Sequence, residues 1–120
     1  MFNDIIVANF FHPRYAEALP DADLMLELGN PVCGDRIRVQ LQLADGVVRK
    51  ARYQAWGCAT SLATGNVFCG FIDTKPLSAV RSLPPGQIAA LLGELEPSQH
   101  HCLDMLRSLF EQLHQQTASD

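Results

Sequence analysis

The reactive side chains of this sequence are thiols that have a carboxylate or an imidazole nearby in the chain. Cys33 and Asp35 are separated by one glycine in NPVCGD. Cys58 lies in GCATS, and Cys102 directly follows His101 in HHC. Together these groups exceed the four ligands that zinc needs, and such an excess suits a site whose ligands exchange. The residues predict a thiolate site that binds a metal or carries out thiol chemistry.

The predicted strands bring the first two of these thiols together. Apolar runs and strict alternation indicate three strands joined in part by an Asp-Gly hairpin, over residues 24–28, 36–43 and 47–56. An antiparallel meander of three strands returns the chain to the same edge after two reversals. Cys33, before the second strand, and Cys58, after the third, are therefore expected to be neighbours.

Helices are predicted before and after the strands. Apolar spacing and breaker residues indicate helices over residues 2–11, after Cys58, over 76–81 and 85–92, and from Ser98 onward. Cys102 falls in the first turn of the last helix. Strands followed by helices favour an α+β fold, in which helices pack on one face of a three-stranded antiparallel sheet. Residues 1–120 fit a single domain.

The first predicted helix carries apolar side chains that are expected to pack on the chain's own sheet. They are Phe2, Ile5, Ile6 and Phe10. A pattern of this kind is also found on helices that dock on a partner, but burial in the chain's own core is the preferred interpretation.

The composition describes an acidic protein with a core of its own. The 120 residues are 48% hydrophobic and carry a net charge of −4 with scattered basic residues, which argues against a nucleic-acid partner. The sequence shows no secretory signal and no apolar run near the roughly 20 residues that span a bilayer, so a cytoplasmic protein without a membrane partner is expected. In a reducing compartment the four cysteines are expected to be free thiols.

Each reactive residue also has a purely structural interpretation. Taken singly, Cys58 is equally well a small core residue, Asp35 a turn residue and His101 a helix-start residue. Cys69 is interpreted as a core residue, because it lies roughly 16 Å along a helix from Cys58 at about 1.5 Å per residue. Only the conjunction of the other three thiols with their polar neighbours favours chemistry.

Four stretches together carry a family resemblance over nearly the whole chain. They are FFHPRYAEAL, ADLMLELGNPVCGDRI, ARYQAWGCATSLAT and the helix with HHC. They resemble the IscU/NifU-type iron-sulfur cluster assembly scaffolds, a family that includes a SufU branch. The resemblance implies a three-stranded sheet with helices on one side. It also implies a carrier rather than an enzyme, one that receives sulfur from a cysteine desulfurase, binds iron, and transfers a transient 2Fe-2S cluster to apo-proteins.

The resemblance assigns roles to individual residues. Cys33, Asp35, Cys58, His101 and Cys102 match the family's ligand-site residues, and Cys102 matches its persulfide acceptor. The carboxylate of Asp35 is a hard ligand among soft sulfurs, and this is expected to keep the cluster releasable. Zinc is expected to occupy the same ligands in a purified sample that lacks the cluster.

Other functions remain open at this stage. A SufU-like zinc-dependent sulfur acceptor would use the same residues as a sulfurtransferase, although His101 favours the IscU/NifU branch by resemblance. A structural zinc domain would use the metal for folding alone. Where many scaffolds have the chaperone-recognition segment LPPVK, this chain has LEPSQ at residues 95–99. That departure argues against a dedicated chaperone.

Overall fold

The computed structural model describes residues 2–30 and 34–117, and its central element is a three-stranded antiparallel sheet. The strands follow one another in space as they do in the chain: β1 (Leu24–Asn30), β2 (Asp35–Ala44) and β3 (Val47–Trp56). Asp45 and Gly46 join the last two with φ of 54° and 73°, the left-handed values that a tight two-residue hairpin requires. The predicted meander and its Asp-Gly hairpin are confirmed.

Helices precede and follow the strands. Within the described ranges they are α1 (Asp4–Phe11), α2 (Ala59–Ile72), α3 (Leu77–Arg81), α4 (Pro85–Ala90) and α5 (His100–Gln116). A 3-10 turn at Pro97–Gln99 leads into α5, and Glu96 and Gln99 form a reciprocal capping box across it. The last helix therefore begins close to the predicted Ser98. None of these helices is both long and apolar enough to cross a membrane.

The apolar face of the sheet is covered by α2 and α5. Alternate residues of β2 are fully buried in a core that these two helices share: Ile37, Val39 and Leu41. Phe68 of α2 and Phe110 of α5 meet edge to face with 4.9 Å between ring centroids. Burial of each such side chain contributes about 1.5–3 kcal/mol. The predicted α+β arrangement, with helices packed on one face, is confirmed.

A β-bulge shifts the alternation in β3. Gln42 pairs with Lys50 but Leu43 pairs with Val48, so Arg49 is the extra residue of the strand. Val48 is consequently fully buried, and Val47 is only half-buried. The sequence pattern places Val47 on the same face as the later inward residues of β3. That prediction is wrong because the bulge adds one residue to the register.

The opening helix packs on α2 rather than on the sheet. Its N-cap is Asn3, whose side-chain oxygen accepts a hydrogen bond of 2.9 Å from the Ile6 amide. Ile6 is fully buried, but Phe2 remains 45% and Phe11 67% exposed. Ile5 and Phe10 are also exposed. The prediction that these side chains pack on the chain's own sheet is therefore wrong for Phe2, Ile5 and Phe10, which remain exposed. Ile6 is buried, in a helix that packs on α2.

Candidate metal centre

The site begins where the end of β3 meets the start of β2. Arg36 pairs with Trp56 across the two strands, and this register brings Asp35 beside the residues that follow Trp56. Gly57 has φ +122°, and a Cβ on it would lie 2.0 Å from Asp35 Oδ1. Only glycine fits this close approach. Asp35 is almost fully buried, and its Oδ1 accepts a 3.1 Å hydrogen bond from the Cys58 amide.

Cys58 is the N-cap residue of α2 and is exposed to solvent. Its Sγ lies 2.8 Å from Thr60 Oγ1 and 3.4 Å from Ser61 Oγ. Burial raises the pKa of this thiol, but hydrogen bonds from Ser61, Thr60 and His101 outweigh it and lower the pKa to about 7. The lowered pKa favours the thiolate of Cys58, and a thiolate is the form that binds metal.

The imidazole of His101 comes from the first turn of α5 and meets the other two groups. Its Nε2 lies 3.8 Å from Cys58 Sγ and 3.9 Å from Asp35 Oδ2. One ligand atom from each of the three residues lies within 4.8 Å of the others. The hydrogen bond with Cys58 raises the His101 pKa, with the nearby Asp35 charge acting in the same direction. A metal would displace that proton, since its ligands must be deprotonated.

Cys102 lies next to this group but beneath the surface. Its Sγ is 3.6 Å from His101 Nε2, and the residue is 0% exposed. Burial raises the pKa of the Cys102 thiol, and the charges of Cys58 and Asp35 raise it further. The structure therefore presents two different thiols: Cys58 is accessible and readily ionised, whereas Cys102 is enclosed and protonated.

The two other cysteines are one predicted site residue, Cys33, and one predicted core residue, Cys69. Cys33 lies outside the described residues; Gly34, which follows it, has φ +76° and leads directly into Asp35. Cys69 of α2 is fully buried in the hydrophobic core of the protein, and this burial raises the pKa of its thiol. Its interpretation as a core residue agrees with this position.

Sequence reasoning missed the hydroxyl groups around the thiols. Thr60 and Ser61 are buried against Cys58 although both are polar. The run of hydroxyl residues in ATSLAT was their only signal. A pocket of about 730 Å³ also opens beside the site, with Asp104, Met105 and Ser108 of α5 on its wall. The sequence pattern assigns Met105 to the apolar stripe of α5, and nothing in its spacing indicates that it lines a pocket.

The fold and the site define a class of protein. It is a small α+β domain that holds a carboxylate, an imidazole and two sulfurs at one end of its sheet, and this mixed donor set fits a transition metal. A family model described as "NifU-like N terminal domain" matches residues 1–114, and the chain belongs to that family.

Individual relatives agree with this assignment. The chain is 28% identical over 105 residues to "Iron-sulfur cluster assembly scaffold protein IscU 1" of Archaeoglobus fulgidus, covering 88% of this chain and 69% of the relative. It is 28% identical to "Zinc-dependent sulfurtransferase SufU" of Bacillus subtilis, covering 69% and 56%. The crystal structure of a NifU-like N-terminal protein from Brucella abortus has the same fold, with a TM-score of 0.61 at 16% identity over 92% of this chain and 78% of that one. The family resemblance read from the sequence is confirmed.

Proposed function

We propose that this protein is a scaffold for iron-sulfur cluster assembly. In this function the chain binds iron, receives sulfur from a cysteine desulfurase, and passes a 2Fe-2S cluster to apo-proteins as a carrier rather than an enzyme. The observation that carries the proposal is the convergence of Asp35, Cys58 and His101, whose ligand atoms lie within 4.8 Å of one another. Membership of the NifU-like family supports the same function.

The donor atoms suit a cargo that must be held and then released. We assign the cargo site to Cys33, Asp35, Cys58, His101 and Cys102. Thiolates bind iron and sulfide-bridged iron firmly, whereas a carboxylate is a hard and more weakly held ligand beside them. Asp35 is held in place by the Cys58 amide, so it can open and close on the metal without losing its position. The carboxylate is thus the ligand through which the cargo leaves.

The sulfur-accepting step involves a buried thiol. Cys102 is the acceptor in our proposal, and its side chain is fully enclosed. The start of α5 must therefore move before Cys102 reaches the persulfide of a partner desulfurase. Cys58 is already exposed and marks the surface where that partner approaches. Free thiols at these positions require reducing conditions, so we place the protein in the cytoplasm.

The test is anaerobic reconstitution of the wild-type protein and the Asp35→Ala variant with ferrous iron, cysteine, a desulfurase and a thiol reductant, which supplies the electrons that convert persulfide sulfur to sulfide. We expect the wild type to bind iron and acid-labile sulfide in equal amounts and to show the visible absorption of a cluster. The Asp35→Ala variant should bind the same cluster and release it several-fold more slowly to an apo-protein, because it lacks the hard ligand. Iron and sulfide analysis together with the absorbance decay measure both quantities.

Two controls make this test specific. Asp104→Ala removes another carboxylate from the same pocket and should release the cluster at the wild-type rate. Cys58→Ser should bind little cluster, since it removes a sulfur ligand. If the wild type forms no protein-bound cluster, or if the Cys58→Ser variant forms as much as the wild type, the scaffold function is contradicted.

A second candidate function is a zinc-dependent sulfur acceptor. The observation that favours it is the set of four side chains, Asp35, Cys58, His101 and Cys102, that lie near one another within the described residues. Four such ligands match the coordination number of zinc. One relative is named as a zinc-dependent sulfurtransferase. Stoichiometric zinc without sulfide, together with faster desulfurase turnover that depends on Cys102, would select this function over the scaffold.

A further inference from the structure

One buried hydroxyl group lies close to the exposed thiol of the site. Thr60 is the second residue of α2 and is only 3% exposed. Its Oγ1 lies 2.8 Å from Cys58 Sγ. Thr60 is therefore in hydrogen-bonding contact with the exposed sulfur of the site.

The neighbouring hydroxyls have other partners as well. Ser61 Oγ lies farther from Cys58 Sγ, at 3.4 Å, and is oriented to donate to the Met105 thioether at 3.8 Å. Thr64 Oγ1 donates to the Thr60 carbonyl at 2.7 Å. Thr60 thus has the hydroxyl closest to the exposed sulfur.

Metal binding fixes the direction of the hydrogen bond between Thr60 and Cys58. In the metal-free protein either atom can donate to the other. A cysteine that ligates a metal is a thiolate and has no proton to give. The Thr60 hydroxyl must then donate, and its one proton stabilises the charge on the Cys58 sulfur and holds that sulfur toward the site.

We propose that Thr60 is a positioning residue that sets how firmly Cys58 holds the metal or cluster. This inference rests on the proposed function, because it concerns the same ligand sulfur. Groups that hydrogen bond to metal ligands typically contribute 10–100-fold to metal affinity. Hydrogen bonds to the sulfurs of an iron-sulfur cluster also tune its reduction potential, since they withdraw electron density from the cluster. Thr60 therefore controls two measurable properties of the loaded protein.

The experiment compares Thr60→Val, which has nearly the same shape without the hydroxyl, with Thr60→Ser, which keeps the hydroxyl. Zinc affinity of the metal-free protein is measured by competition with a chromophoric chelator, and the midpoint potential of the reconstituted cluster by redox titration. We expect Thr60→Val to bind zinc about 10–100-fold more weakly and to have a more negative midpoint potential. Thr60→Ser should restore both values. Thr117→Val, which removes a buried threonine hydroxyl bonded to the Leu113 carbonyl, should change neither.

The outcomes separate this inference from the proposed function. Wild-type values in Thr60→Val, or failure of Thr60→Ser to restore them, would overturn the role of Thr60 while leaving the scaffold intact. A wild type that binds neither zinc nor a cluster would overturn the site and the proposed function together. If Thr60→Val does not fold, as judged by circular dichroism, Thr60→Ala carries the same comparison, because it removes the hydroxyl without adding a branched apolar surface.

Discussion

The two thiols associated with helix α2 lie in opposite environments. Cys58 caps its first turn, is exposed, and has hydroxyl and imidazole partners within 4 Å. Cys69 lies inside the same helix, is 0% exposed, and belongs to the hydrophobic core. Burial raises the pKa of Cys69, whereas hydrogen bonds overcome the effect of burial and lower that of Cys58 to about 7.

The contrast shows that the partners of a thiol decide its chemistry in this protein. A sulfur at a helix terminus has unpaired N–H groups and polar side chains around it, which favour the thiolate. A sulfur enclosed by aliphatic and aromatic groups has no such partner and remains protonated. Cys102 is intermediate, because it is fully buried yet lies 3.6 Å from an imidazole nitrogen.

The largest expected difference between the two thiols is in their rate of alkylation. In the native, metal-free protein Cys58 should react with iodoacetamide about 1,000-fold or more faster than Cys69, since Cys69 becomes accessible only when the protein opens at a cost of several kcal/mol. The rate at Cys58 should increase with pH and be half-maximal near pH 7, because its pKa is lowered to about 7 and the thiolate is the nucleophile. Peptide mass mapping follows each cysteine separately. Equal rates, or a midpoint above pH 8 for Cys58, would remove the contrast.

The second-largest effect is expected from a change in the backbone next to Cys58. Gly57→Ala would place a methyl group 2.0 Å from Asp35 Oδ1 and 2.9 Å from Asp35 Cα, at a φ of +122°. We expect zinc affinity to fall by about 100-fold, the upper end for residues that orient metal ligands. Competition with a chelator measures the change. Gly86→Ala is the matched control, because a Cβ there meets nothing within 4 Å; loss of affinity in that variant as well would refute a specific role for Gly57.

The smallest effect is expected for substitutions of Cys69, the buried thiol. Cys69→Ser places a hydroxyl in an apolar core, which typically costs about 1–3 kcal/mol when the hydroxyl has no partner. Urea denaturation should show that loss in the free energy of unfolding. Zinc and cluster stoichiometry should equal those of the wild type, and Cys69→Ala should be the more stable of the two variants. A Cys69 variant that folds but loses metal would place Cys69 in the site.

Sequence patterns predicted the elements well where periodicity was strong. The alternation in β2 and the apolar stripe of α5 each correspond to a face that the structure buries, and the Asp-Gly pair forms the predicted turn. The errors have particular physical causes. Because of the bulge at Arg49, Val48 rather than Val47 is buried. Helix α1 packs on α2 rather than on the sheet. Neither the bulge nor the packing partner of α1 can be recognised from the local spacing of apolar residues.

Residue types and their spacing determined that the chain carries thiols beside a carboxylate and an imidazole, because these identities are written directly in the sequence. They also determined an α+β fold, since periods of two and of 3.6 residues indicate strands and helices. Only the tertiary structure decided that Cys58 is the exposed thiol and Cys102 the enclosed one, and that the Thr60 hydroxyl lies 2.8 Å from the Cys58 sulfur. Burial and hydrogen bonding depend on how α2 and α5 meet at the end of the sheet. Cys58 and His101, for example, are in contact although they lie 43 positions apart in sequence.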